Sequence, residues 1–300
     1  MIIFGHMKRL SLIFAVLMLS VTVYGSEFHF GSYNIRVLNN GDGKHYDGWT
    51  DRCDVMCDLI AALGYDAFGA QEVTRRQLTD MLDRLPEYDY VGVGRDDGKE
   101  GGEYSPVFYR KDKFKVLESG TFWLSESPEK VSFGWDAACR RVCSYAKLKN
   151  RKTKEVFWFF NTHMDHIGIT ARREGARLIL AKIHEIAGDE ANVVLTGDFN
   201  VDQRNEAYST IISTERLVDS YWIAKHRFCP GPTFNNFVPT VYSDSRIDHV
   251  FVSNGSKVSS YMCLTAHYWR KDSLSDGQAE VHLPSDHYPL SVRVDFGKKK

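Results

Sequence analysis

Six segments of this chain carry an apolar run into side chains that bind cations or move protons. They place Asn34 in SYNIR, Glu72 in GAQEV, His163 in NTHMDH, Asp198 and Asn200 in TGDFN, Asp248 in RIDHVF, and Asp286 with His287 in SDHYP. A buried strand does not end on a carboxylate unless that group is solvated, paired or bound to a cation. Taken singly, each has an ordinary use: Asn34 caps a turn, Glu72 and Asp198 open loops or cap helices, and His163 is a hydrogen-bonded core residue. Together, on strand ends, they would form a cluster of hard oxygen ligands with two imidazoles. Such a cluster suits a divalent cation and acid–base catalysis.

The elements that must position them alternate between two periodicities. FHFGSYNI (28–35) alternates as a strand, and DRCDVMCDLIAALG (51–64) places Val55, Leu59, Ile60 and Leu63 at helical spacing with Gly64 as the C-cap. YDAFGAQEV is a short buried strand, RRQLTDMLDRL a second helix and YDYVGVGRDD a strand. SPVFYR, FKVLESGTFWLS and RVCSYAKLKN follow as further strands after a Gly- and acid-rich loop. The second half repeats this plan: strand EVFWFFNTHMD, helix ITARREGARLILAKIHEIAG, strand NVVLTGDFN, a short helix over 205–214, then strands RIDHVFVS, VSSYMCLTAHYW and LSVRVDF. No linker divides the halves. The expected architecture is α/β, with two sheets packed face to face and helices outside, in one domain over 26–300.

Composition agrees: 43% hydrophobic and 26% charged residues give an ordinary globular balance. Residues 1–25 differ, with Lys8 and Arg9 before an apolar run from Leu10 to Val23 and small residues around Gly25. That is the layout of a cleaved signal peptide, cut near Ser26, and the run is short for a membrane span of about 20 residues. The expectation is an exported, periplasmic or secreted protein, without stable membrane insertion after cleavage and monomeric. Residues 1–25 hold two basic and no acidic residues, so the remainder is slightly acidic. No broad positive field is available to hold nucleic acid, although Arg140, Arg141, Lys147, Lys149, Arg151 and Lys152 form a local basic run. The six cysteines permit disulfides in an exported chain or serve as small buried hydrophobes.

With YNIR, QEV, NTHMDH, GDFN, RIDHVF and SDHYP in this order from about Phe28 to Phe296, the chain resembles the endonuclease/exonuclease/phosphatase (DNase I-like) superfamily. The resemblance implies a four-layer α/β sandwich with two mainly antiparallel sheets and metal-dependent hydrolysis of phosphoester bonds by in-line water attack. It implies Mg²⁺ or Mn²⁺ as cofactor, with Asn34, Glu72, Asp198, Asn200 and Asp286 around the metal. His163, Asp198, Asn200, Asp248 and His287 are the implied catalytic residues. Asp198 and Asn200 would orient water or help hold a second ion; Asp248 would orient His287 toward the phosphate; His163 would contact the phosphate or protonate the leaving oxygen. Glu103, Tyr104, Asp165, His166, Arg172 and Arg173 lie near these motifs.

The substrate stays open among nucleic acid, a phospholipid head group and a sugar phosphate. YSDSR (242–246) replaces the Trp-Cys-Asp that usually precedes the matching arginine in inositol-polyphosphate phosphatases, which disfavours that branch. Two other readings exist. A metallo-β-lactamase-type hydrolase would bind zinc through His163, Asp165 and His166, but its metal run needs histidine where Asn161 stands. A catalytically inactive exported binding module would keep the fold and lose the chemistry.

Overall fold

In the intersheet strands, one face changes chemically from end to end. Along the first strand the inward residues run Phe28, Phe30, Ser32, Asn34, and along a central strand of the second sheet Phe157, Phe159, Asn161, His163. Burial of the aromatic ends drives the two sheets together at about 25 cal/mol per Å² of apolar surface. The polar ends then meet at one rim.

The computed structural model describes residues 26–271 and 279–297; the signal-like segment 1–25 lies outside them. The first half comprises β1 (Phe28–Asn34), α1 (Trp49–Leu63), β2 (Ala67–Gln71), α2 (Arg75–Arg84), β3 (Tyr88–Val91) and β4 (Val107–Arg110). There follow β5 (Phe114–Trp123), β6 (Val142–Asn150), β7 (Val156–His163), α3 (Ile169–Ala187) and β8 (Val193–Asp198). The next elements are α4 (Glu206–Ile212), β9 (Leu217–Asp219), α5 (Ser220–Ile223), β10 (Ala224–Phe228) and β11 (Asp248–Ser253). Last come β12 (Lys257–Cys263), β13 (Tyr268–Lys271), β14 (Ala279–His282) and β15 (Leu290–Asp295).

One sheet has the order β10-β12-β15-β1-β2-β4-β3 and the other β5-β6-β7-β8-β11-β9, with β13-β14 as a separate pair. Most pairings are antiparallel; β1-β2, β7-β8 and β10-β12 are parallel. Between the sheets, Phe28, Phe30, Phe157, Phe159 and Phe296 interlock with ring centroids 5.1–5.7 Å apart. Helices α1 and α2 cover the outer face of the first sheet through Met56, Ile60, Leu78 and Met81. The second sheet is covered through Ile179 and Ile183 of α3 and Ile211 of α4. This is the expected four-layer sandwich.

Several elements differ from the sequence expectation. VSSYMCLTAHYW does not form one strand: it splits into β12 and β13, which lie in different sheets. The short elements β9, α5, β10 and β14 carry too few periodic residues to stand out. On α1 the deepest positions are Trp49, Arg52, Cys53, Met56, Cys57 and Ile60, while Val55, Leu59 and Leu63 are half-buried. The buried stripe therefore contains an arginine that an apolar template passes over.

Beneath the polar rim a buried amide network joins the sheets. Gln71 Nε2 donates to Asn161 Oδ1 (2.7 Å) and Ser32 Oγ (3.2 Å), and Thr196 Oγ1 donates to Asn161 Oδ1 (3.0 Å). Asn161 Nδ2 donates across the interface to the carbonyls of Ala70 (2.7 Å) and Pro106 (2.9 Å). Gly69 makes this approach possible, because a Cβ there would lie 2.2 Å from Asn161 Oδ1 and 2.3 Å from Thr196 Oγ1.

Candidate active site

Strand register assembles the rim. In the parallel pair β7-β8, His163 stands opposite Asp198; in the antiparallel pair β8-β11, Asp198 stands opposite Asp248. Three side chains from distant parts of the chain thus share one face and one end of adjacent strands, since in-register neighbours project together. In the other sheet Asn34 pairs with Gln71, so Glu72 follows one step beyond, and the turn bearing Asp286 and His287 enters β15 at the same rim.

Backbone strain marks the same place. Arg36, Glu72 and Asn200 all have left-handed backbones, with φ of 60°, 63° and 50°, a conformation that costs roughly 1–2 kcal/mol for non-glycine residues. The surroundings hold them there. The Arg36 carbonyl accepts from Arg52 Nη2 (2.9 Å) and Gln77 Nε2 (2.7 Å), and the Val37 N–H donates to Glu72 Oε2 (2.7 Å). Gln77 also closes the capping box of α2 with Thr74. Arg52 is fully buried and donates to four carbonyls, those of Ile35, Arg36, Asp47 and Pro284. It ties the YNIR end of β1 to the turn that presents Asp286 and His287.

Asp198 Oδ2 is the hub. It accepts from Asn34 Nδ2 (2.9 Å) and lies 3.6 Å from the Nε2 atoms of both His163 and His287. Asn34 Nδ2 also donates to Glu72 Oε1 (3.1 Å). The amide thus turns its nitrogen to the carboxylates, while its oxygen accepts from the Arg36 N–H (3.0 Å). Asn200 donates through Nδ2 to the Met164 carbonyl (2.9 Å) and to His163 Nε2 (3.1 Å). Its side chain therefore holds the histidine.

The two histidines are held in opposite states. His287 Nδ1 is 2.8 Å from Asp248 Oδ2. Burial alone would lower its pKa, but Asp248 and then Asp198 outweigh that and push it up to about 10. Burial, followed by the charges of Arg141 and Arg95, lowers His163 well below the ordinary value and keeps it neutral. With Nε2 accepting from Asn200, its proton sits on Nδ1, 4.0 Å from Glu103 Oε2. Burial and the neighbouring Asp248 raise Asp198. Asp286 is raised by burial, with Glu72 adding to the effect, and burial raises Glu103.

Several buried carboxylates lifted from their ordinary range beside one opening form a site short of positive charge. Glu72, His163 and Asp198 bring ligand atoms within 4.8 Å of one another. An oxygen-rich donor set of this kind fits Mg²⁺ or Mn²⁺. Arg36 Nη1 supplies part of the missing charge, 3.4 Å from Asp286 Oδ2.

These groups line a cleft of about 450 Å³, together with Arg36, Arg95, Glu103, Cys139, Arg141, His166, Phe234 and Asn236. Asn34 and Asp248 stand behind it, holding Asp198 and His287. Arg141 sends Nε to Asp165 (3.3 Å) and Nη2 to His166 Nδ1 (3.0 Å), leaving Nη1 buried without a protein partner. Arg95 and Glu103 form a two-pronged pair (2.8 and 2.7 Å). Arg95 falls in YDYVGVGRDD, read as a strand although β3 ends at Val91, Phe234 and Asn236 carry no motif, and Arg141 reads as part of a basic run, so sequence reasoning passes over all four. Tyr104 turns away, with its hydroxyl on the Lys99 carbonyl, and Ser285 bonds the Asn34 carbonyl (2.7 Å) as a turn residue. Arg172 reaches the Asp165 carbonyl and Arg173 pairs with Glu174.

The zinc arrangement required of a metallo-β-lactamase-type enzyme is not assembled. Asp165 accepts from the N–H groups of Ala138, Cys139, Ile167 and Gly168, which outweigh burial and hold its carboxyl well below the usual range. Its oxygens serve as a structural knot.

The model of the Endonuclease/Exonuclease/phosphatase family matches residues 31–287, and the chain belongs to that family. The three activities in the family's name share one reaction, hydrolysis of a phosphoester bond. An endonuclease/exonuclease/phosphatase family protein from Bacteroides thetaiotaomicron is 44% identical, covers 92% of this chain and 100% of its own, and superposes with a TM-score of 0.89. A mannosyl-6-phosphatase from the same organism is 45% identical over 89% of this chain and 99% of its own, TM-score 0.86. A family protein from Bacteroides vulgatus is 39% identical over 90% and 98%, TM-score 0.79.

Proposed function

We propose that this chain is a divalent-metal-dependent phosphatase acting on sugar phosphates. The observation that carries the hydrolytic reading is the in-register row His163, Asp198, Asp248 facing Glu72, Asp286 and His287 across one rim. Mg²⁺ or Mn²⁺ held by Glu72, whose ligand oxygen gathers with those of His163 and Asp198, with Asp286 on the same rim, would withdraw charge from the phosphoryl group and ease attack on it.

The side chains supply the rest. Asp198, pushed up to about 7 by burial and by Asp248, is a carboxylate basic enough to take a proton from an attacking water near neutral pH. His287, kept as imidazolium by Asp248, presents its Nε2–H toward the cleft and stabilises negative charge on a phosphoryl oxygen. Arg141, which lines the same cleft and whose Nη1 has no protein partner, would add positive charge there. Neutral His163, fixed by Asn200, contacts the phosphate from the other side. The amide of Asn34 holds Glu72 and Asp198 in place.

Two observations support the sugar phosphate. The mannosyl-6-phosphatase shares 45% of its aligned residues and nearly its whole length with this chain. The cleft mixes Glu103, Asn236 and Phe234 beside the phosphate groups, a set suited to hydroxyls and a sugar face. Against nucleic acid stands the formal net charge of −1. We also propose export, on the signal-like pattern of residues 1–25; among the described residues no helix is long and apolar enough to cross a membrane. A panel of mannose 6-phosphate, other sugar phosphates, plasmid DNA, RNA and phospholipids, each with Mg²⁺ and with EDTA, tests the function. Phosphate release from the sugar phosphates is expected; cleavage confined to DNA or RNA would reject the substrate class.

A further inference from the structure

Strands β10 and β12 run parallel, with Arg227 opposite Tyr261 and Phe228 opposite Met262. The next step of that register sets Cys229 beside Cys263. Neighbouring strands lie about 4.8 Å apart and their in-register side chains project to one face. That separation falls inside the roughly 4.4–6.8 Å between Cα atoms that a disulfide bridges. The sulfurs do point the same way. Cys229 Sγ is 3.6 Å from the Gly231 carbonyl and Cys263 Sγ is 3.7 Å from that of Pro232, adjacent residues of one turn. Both cysteines pack on the core between the sheets, and both are free thiols. Cys53 and Cys57 provide a contrast: four apart on α1, their Cβ atoms are held about 5–6 Å apart, beyond the roughly 3.5–4.5 Å a disulfide needs.

We propose that Cys229 and Cys263 are a disulfide site, closed by exchange with a small disulfide such as oxidised glutathione. The Cys229 sulfur attacks the reagent's S–S bond, which breaks and expels one thiol. Cys263 then attacks the mixed disulfide at Cys229 and expels the second. Two cysteine protons and two electrons leave with the two reduced reagent thiols. Cys229 is the attacking sulfur because it is the less buried of the two.

The bond would fasten the foot of the segment 229–247, which lends Phe234, Asn236 and Ile247 to the lining of the cleft. There Thr233 Oγ1 accepts from the N–H groups of Ile247 (2.9 Å) and Asp248 (3.1 Å), and Asn235 N–H donates to the Asp286 carbonyl (2.7 Å). The Phe234 ring lies 5.0 Å from that of His287. The site is independent of the catalytic reading.

The test is non-reducing peptide mapping by mass spectrometry, with thiol titration, after incubating the full chain in a glutathione buffer of rising oxidised fraction. A Cys229–Cys263 cross-linked peptide and loss of two of the six thiols are expected. The thermal midpoint should rise by roughly 5–10 °C, reversibly with dithiothreitol. Cys229→Ser, at the less buried position, should show neither change. Six titratable thiols under the most oxidising buffer, or cross-links through Cys53, Cys57 or Cys139 in place of this pair, would overturn the proposal.

Discussion

At the scale of single residues, two imidazoles of one type are given different work by their neighbours. Asp248 holds His287 charged, while burial beside Arg141 and Arg95 holds His163 neutral. Replacing Asp248 by Asn should remove the charge that keeps His287 protonated and lower kcat on the order of a hundredfold, as should His287→Ala. Steady-state kinetics check both, and a histidine NMR titration of Asp248→Asn should show the His287 pKa falling toward the ordinary value. A third histidine, away from the site, governs acid stability. His29 Nε2 meets Ser291 Oγ at 2.7 Å, and burial, followed by Arg293, lowers its pKa to about 4. The folded state therefore binds its proton less readily than the unfolded chain does. Stability present above pH 6.5 should fall by on the order of 2 kcal/mol as the pH drops from there to about 4. Denaturant titrations at several pH values measure that slope, which His29→Gln should flatten. The residues that meet at the rim were legible in the sequence because polar groups on apolar strands violate an expected pattern. Their protonation states were not, since these depend on partners as distant as Asp248 and His287.

At the scale of elements, parallel pairing does what no motif spacing reveals. It turns the ends of β7 and β8 to the same rim, and the antiparallel return of β11 adds its first residue, Asp248. Under that rim, Gly69→Ala would drive a Cβ into Asn161 and Thr196. A loss of about 2–3 kcal/mol is expected, measurable as a lowered denaturation midpoint. Arg52→Met should cost more, about 3–5 kcal/mol, because four carbonyls lose this buried donor and only that of Arg36 keeps Gln77 in its place. Its activity should also fall, since the YNIR and SDH segments lose their common tie. Strands such as β1 and β7 are readable from alternation. A buried arginine on α1, or a strand as brief as β9, carries no periodic signal, and the division of VSSYMCLTAHYW between two sheets depends on contacts formed only in the folded chain.

At the scale of the whole molecule, the sandwich follows from strands that bury aromatic residues at one end and gather oxygen donors at the other. The ordered motif set made the four-layer architecture readable across the chain. The cleft's extent was not, because Arg95, Arg141, Phe234 and Asn236 come from loops whose path only the fold defines. If the rim holds a divalent cation, adding Mg²⁺ at a hundredfold excess over its dissociation constant should stabilise the protein by about 2.7 kcal/mol. Differential scanning calorimetry should show a raised midpoint, and Glu72→Gln should blunt it. The central claim is that Glu72, Asp198 and His287 serve one metal-dependent phosphoester hydrolase site. Phosphate release from mannose 6-phosphate by wild type and Glu72→Gln, each with Mg²⁺ and with EDTA, tests it most directly. Turnover by the wild type that stops in EDTA and falls on the order of a hundredfold in Glu72→Gln is the result expected; equal turnover in all four reactions would contradict it.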